Sequence, residues 1–120
     1  MPDQTTTIST LRDAMRVFVH ERDWEQFHSP KNLCMALSGE AAELSEHFQW
    51  LTEAQSAKLK GKKKQAVAEE LADIFIYTVR LADKLQIDLE RATRRKIKIN
   101  ARKYPVRASK GNVTKPSWRS

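Results

Sequence analysis

The stretch that decides the fold is Ser29-Pro30-Lys31-Asn32-Leu33-Cys34-Met35-Ala36-Leu37-Ser38-Gly39-Glu40-Ala41-Ala42-Glu43-Leu44-Ser45-Glu46-His47-Phe48-Gln49-Trp50-Leu51. Ser29 suits an N-cap, and Pro30 suits the first helical position, where a missing N–H costs nothing. Leu33, Leu37, Leu44, Phe48 and Leu51 then recur at helical spacing, which predicts a helix ending near Trp50 to Thr52. Glu40 stands three residues after Leu37 and four before Leu44. Positions three and four apart share one helix face, so this acid interrupts the apolar stripe. Glu43 follows on the same side.

The pattern repeats downstream. A helix is expected from about Lys63 to Leu85, with Val67, Leu71, Ile74, Thr78 and Leu81 at core spacing. Glu70 lies three after Val67 and four before Ile74, and Asp73 completes a second carboxylate pair. Either pair alone is a common chance occurrence. Two pairs, each breaking an apolar face on consecutive helices, call for another reason. Burying ionised carboxylates without partners costs several kcal/mol or more, on the order of a small domain's whole stability. A divalent cation removes that cost. All-oxygen ligands suit magnesium, which keeps several waters and accepts phosphate oxygens as further ligands. Neither helix carries the Glu-x-x-His spacing of di-iron bundles. His47, four residues after Glu43, is a candidate to support a ligand, and Glu46 and Glu69 are expected on the solvent side or supporting the ligands, not as ligands themselves.

Two further helices flank this pair. One is expected from about Ser9 to Asp23, with Leu11, Met15, Phe18 and Val19 as its stripe; the other starts at an Asp88 N-cap, carries Leu89, Ala92 and Ile97, and stops at Pro105. Thr52–Lys64 reads as a polar surface connection. Three glycines and four prolines leave little punctuation for β-turns, so the fold class is all-α. At 120 residues this is one domain, expected over residues 1–105, with a basic and flexible tail over 106–120. A helical chain this short often completes its core by oligomerising. Cys34 is the single cysteine, which fits a reducing cytosol. The N-terminus shows no signal peptide, and no stretch approaches the ~20 apolar residues of a membrane span, so a soluble cytoplasmic protein is expected.

Charge is distributed unevenly. The net charge is +7, yet residues 91–120 carry eleven Lys and Arg and no acid, leaving the first ninety residues at −4. A basic end of this kind could grip nucleic acid. That reading leaves four inward acids unexplained, and they would repel a phosphate backbone. Lys96, Asn100 and Tyr104 recur every four residues as one polar line that could hold phosphate oxygens. Trp24, Phe27 and His28 fall in the loop between the first two helices, Trp50 ends the second, and Tyr77 follows Asp73 by one turn. Aromatic faces stack on nucleobases for ~1–3 kcal/mol per base.

Taken together, these residues resemble the MazG-like all-α nucleoside triphosphate pyrophosphatases, whose hallmark is E-x-x-E followed by E-x-x-D. Here that pattern is Glu40/Glu43 and Glu70/Asp73. The likeness is strongest to the branch of that superfamily that cleaves dCTP. It runs through Glu21-Arg22-Asp23-Trp24-Glu25-Gln26-Phe27-His28, Asn32-Leu33, Gly39-Glu40, Phe48-Gln49-Trp50, Glu69-Glu70-Leu71, Asn100 and Tyr104-Pro105-Val106, covering roughly residues 10–107.

The resemblance implies a four-helix-type bundle assembled as a tetramer, with magnesium held by Glu40, Glu43, Glu70 and Asp73 as the catalytic centre. It places the base against Trp24, Glu25, Gln26, Phe27 and His28, with Trp50 and Tyr77, and the triphosphate near Lys96, Asn100 and Tyr104. One departure bears on base discrimination: Met15 stands where the family's eukaryotic members carry a substrate-contacting histidine. The expected activity is hydrolysis of dCTP, or a modified dCTP, to dCMP and pyrophosphate, serving nucleotide-pool sanitation. The rivals are a dUTP or broader preference within the same superfamily, and a non-enzymatic basic helical module that binds nucleic acid.

Overall fold

The computed structural model describes residues 1–113; of the expected tail, residues 114–120 lie outside the described residues. Among the described residues all regular structure is helical: α1 (Ile8–Glu21), α2 (Pro30–Glu46), α3 (Glu53–Ser56), α4 (Gly61–Lys84), α5 (Leu89–Lys103) and α6 (Val106–Ser109), with 3-10 turns at Pro2–Gln4 and Glu25–Phe27. No described helix is long and apolar enough to cross a membrane. The chain divides into two units, Met1–Gln86 and Ile87–Ser120.

Side chains cap the starts of α1, α2 and α5. Ser29 accepts from the Asn32 amide at 3.2 Å with Pro30 at the first position, and Asp88 accepts from the Arg91 amide at 2.8 Å. Thr7 caps α1 in the same way, accepting from Thr10 at 3.2 Å. Each such cap satisfies a backbone N–H that the helix leaves orphaned, stabilising it by ~1 kcal/mol. The connection from Thr52 to Lys64 is more ordered than expected. Thr52 and Gln55 form a reciprocal capping box that nucleates α3, and Gly61 turns the chain into α4 at φ 62°, a left-handed conformation open to glycine. Within the expected tail, Val106–Ser109 forms a helical turn.

In the first unit α2 packs along α4, and α1 packs against α4. Val19, Leu33, Val67, Val79 and Ala82 are the buried apolar residues, and Arg80 is buried among them at 2% exposure. Five expected core positions differ. Leu71 is 52% exposed, and Leu11, Phe18, Ala92 and Ile97 are also exposed. The spacing of Leu71 assigns it to the apolar side of α4, but α1 and α2 cover only part of that side. Phe18 lies at the surface under the Arg22 guanidinium, 3.6 Å from its ring centroid, and edge-on to Trp24.

Candidate metal centre

The site is laid out along one line of α4. Glu70, Asp73, Tyr77, Arg80 and Lys84 are spaced alternately three and four residues apart, so they share one face of the helix. Glu40 and Glu43 face this line from α2. Carboxylate oxygens of Glu40, Glu43 and Glu70 all lie within 4.8 Å of one another. Asp73 falls outside that set of three, yet its charge is felt at both Glu40 and Tyr77.

Two oxygens in this cluster, Oε2 of Glu40 and Oε2 of Glu70, are buried with no hydrogen-bond partner. Buried polar atoms are nearly always paired, so two orphans side by side need an explanation. The Glu40 carboxyl is pushed up to about 7, first by the neighbouring Glu70 carboxyl, then by burial, then by Glu43 and Asp73. Crowded carboxylates behave this way because they cannot all ionise together. The donor set is all oxygen, anionic and closely spaced, and it fits a hard divalent cation such as magnesium. Nε2 of His47 stands 3.9 Å from Oε1 of Glu70, beside the cluster but beyond direct hydrogen-bond reach. Burial, followed by the charges of Glu40 and Asp73, holds the Tyr77 phenol above its ordinary range.

The Trp24–His28 segment is presented by the end of α1. Asp23 adopts φ 55°, the Trp24 amide donates to the Val19 carbonyl at 3.0 Å, and the Asp23 amide donates to the His20 carbonyl at 3.1 Å. This paired closure terminates the helix and turns the chain sharply. Asn32 then donates from its side chain to the Phe27 carbonyl at 3.1 Å, tying the segment to α2. Gln26 folds back onto the Asp23 carbonyl at 3.0 Å, and Trp24 stacks edge-on against Phe18 at 5.8 Å.

Glu25 and His28 are held by cations that the sequence reading did not single out. Nη2 of Arg80 donates to Oε1 of Glu25 at 3.1 Å, and Nζ of Lys84 donates to Oε2 at 2.5 Å. Nε of Arg80 also faces Nδ1 of His28 at 3.4 Å. Arg80 and Lys84 were nonetheless legible: they continue the spacing set by Glu70, Asp73 and Tyr77. A cleft of about 510 Å³ opens beside this network, lined by Arg16, His20, Glu25, Asp83 and Lys84 among others, away from the carboxylates. Phe27 is exposed, and Trp50 stands 87% exposed beyond the end of α2. Lys96 and Asn100 lie on α5 and Tyr104 caps it, all within the second unit.

Comparison with known proteins places this geometry in context. The MazG-like family model matches residues 35–116. The chain is 45% identical over 111 residues to dCTP pyrophosphatase 1 of Rattus norvegicus, a match spanning 88% of this chain and 65% of that relative. With dCTP pyrophosphatase 1 of Homo sapiens the identity is 42%, over the same shares. The chain thus spans 65% of the length of these curated relatives. A solved pyrophosphatase from Archaeoglobus fulgidus superposes with a TM-score of 0.76 at 40% identity, covering 81% of this chain and 91% of that one. With the family model spanning both carboxylate pairs and a solved relative of the same fold, the chain belongs to the MazG-like family.

Proposed function

We propose that this chain is a magnesium-dependent nucleoside triphosphate pyrophosphohydrolase that converts dCTP and water to dCMP and pyrophosphate. The observation that carries the reading is the pair of buried, unpartnered oxygens of Glu40 and Glu70 inside a cluster of three carboxylates. The substrate is supported by the names of the relatives, each a dCTP pyrophosphatase 1. Glu40, Glu43, Glu70 and Asp73 are the residues that would hold the cation. Bound there, magnesium supplies a Lewis acid that takes up charge on phosphate oxygens.

A water oxygen attacks the α-phosphorus, the bond from that phosphorus to the oxygen bridging to the β-phosphorus breaks, and pyrophosphate leaves. Glu43, the exposed member of the cluster, takes the proton of the attacking water. The Trp24–His28 segment, Trp50 and Tyr77 receive the base, and Lys96, Asn100 and Tyr104 grip phosphate oxygens. The working form is a homo-oligomer, a tetramer, acting in the cytoplasm to clear dCTP and modified cytosine triphosphates. Residues 1–105 carry the activity and 106–120 form a basic tail.

The test is a panel of nucleoside triphosphates assayed for pyrophosphate release with and without magnesium. Release from dCTP that disappears in chelator is the expected result. Orthophosphate release, or no turnover of any nucleotide, would overturn the proposal.

A further inference from the structure

Arg80 is the most deeply buried charged side chain among the described residues, and its guanidinium divides between three partners. Nη2 donates to Oε1 of Glu25 at 3.1 Å, Nη1 to Oδ2 of Asp83 at 3.3 Å, and Nε to Nδ1 of His28 at 3.4 Å. Asp83 lies on Arg80's own helix, whereas Glu25 and His28 come from the segment after α1. A buried arginine with two such partners acts as a clamp. It sits seven residues after Asp73, two helical turns or ~10.5 Å along the axis. That is the length scale of a nucleoside reaching from its reacting phosphate to its base.

A guanidinium only donates, so Nδ1 of His28 must be the accepting nitrogen. Burial, then the nearby Arg80 charge, pushes the His28 pKa down, so the ring is neutral at physiological pH. A neutral imidazole carries one proton, and with Nδ1 accepting, that proton sits on Nε2.

We infer that Arg80 is a positioning residue for base selection: it orders the Trp24–His28 segment and holds His28 so that Nε2–H is offered to the base edge. Cytosine presents a bare N3 lone pair to such a donor. Uracil and thymine present N3–H, which leaves two donors facing each other. A site built around a hydrogen bond rejects the analogue that cannot make it, because its buried polar group is left unpaired. The inference rests on the nucleotide reading above and adds to it the atom that distinguishes cytosine.

Two measurements test it. Nitrogen-15 spectra of the imidazole region in the wild-type protein at neutral pH should show His28 protonated at Nε2 and bare at Nδ1. In folded Arg80→Lys, which keeps the charge but loses the fork, the tautomers should mix. The ratio of kcat/KM for dCTP over dUTP should then fall by about tenfold, mainly through dCTP. His28→Ala should lose the same ratio, and the double variant should lose no more. A proton on Nδ1 in the wild type overturns the inference even if Arg80→Lys does not fold. Equal losses on dCTP and dUTP in the variants, beside a wild type that prefers dCTP, overturn it and leave the proposed activity standing. A wild type that releases pyrophosphate from no nucleotide overturns both.

Discussion

Arg16 and Asp83 join α1 to α4 through a two-pronged ion pair, Nε to Oδ2 at 2.8 Å and Nη2 to Oδ1 at 2.5 Å, across 67 residues of chain. The Arg16 hydrogen bond is the main reason that the Asp83 carboxyl is held below its ordinary value of 3.8, against the opposing effect of burial. Asp83 also receives Nη1 of the buried Arg80, so one carboxylate serves both the helix contact and the clamp.

Asp83→Asn is therefore expected to destabilise the protein by on the order of 2 kcal/mol, the scale of a charge-assisted hydrogen bond. Arg16→Gln should cost less, because Arg16 is half exposed and its loss leaves Arg80 paired. A folded carboxyl with a depressed pKa contributes stability that is full above its unfolded pKa and is lost as pH falls through the folded one. The acid limb of the wild-type stability curve should thus begin below about 3.8, and Asp83→Asn should flatten it. Urea midpoints measured across that range decide the matter; equal midpoints for the two variants would count against the shared role of Asp83.

Glu40 has the opposite sign. Its folded pKa is raised from 4.5 to about 7, so the folded state keeps a proton that the unfolded state releases. Metal-free stability should fall as pH rises from about 4.5 to about 7, and Glu40→Gln should remove that slope and raise the thermal midpoint in chelator. The same variant, and Asp73→Asn, should abolish turnover with the helical circular dichroism unchanged. Near-wild-type pyrophosphate release from both variants would remove the metal-cup assignment.

Magnesium should reverse the Glu40 effect. A ligand that binds only the folded state adds about 2.7 kcal/mol at a hundredfold excess over its Kd. Calorimetry at neutral pH should show the midpoint climbing with magnesium concentration in the wild type and staying flat in Glu40→Gln. A wild-type midpoint indifferent to magnesium would falsify the cation site.

Met35, Leu71, Phe75 and Ile76 leave apolar surface open on α2 and α4. Apolar side chains left open on both helices of a small chain are surface that a partner can cover. Light scattering at micromolar concentration should report an oligomer, a tetramer by expectation, and Leu71→Lys should shift it toward smaller species. Finding only a 13.9 kDa species in the wild type would refute this.

Trp50 tests affinity as distinct from base identity. Its ring is exposed, so Trp50→Ala should leave the thermal midpoint unchanged. Stacking is worth ~1–3 kcal/mol per base and accepts any base face, so kcat/KM for dCTP, dUTP and dTTP should fall together, by about tenfold. A loss confined to one base would move Trp50 from the stacking role to recognition of the base edge.

The four long helices, the starts of α2 and α5, and the acids that break apolar faces were legible in the local spacing of the sequence. Ser29, Pro30 and Asp88 act within one turn of their own positions, and Glu40 and Glu70 are assigned to a face by counting three and four residues. Such local relations follow from backbone geometry and hold whatever the chain packs against. What α2 and α4 packing decided is which oxygens meet: Glu40, Glu43 and Glu70 close within 4.8 Å while Asp73, one turn from Glu70, stays outside the set. Coverage was also a tertiary matter, since the spacing of Leu71 marks the same side of α4 whether or not a neighbour lies over it. The partners of Glu25 and His28 were out of reach of any local pattern. Arg80 stands 55 and 52 residues away, and only folding carries its charge into the core, where the acceptors it finds determine which way it can donate.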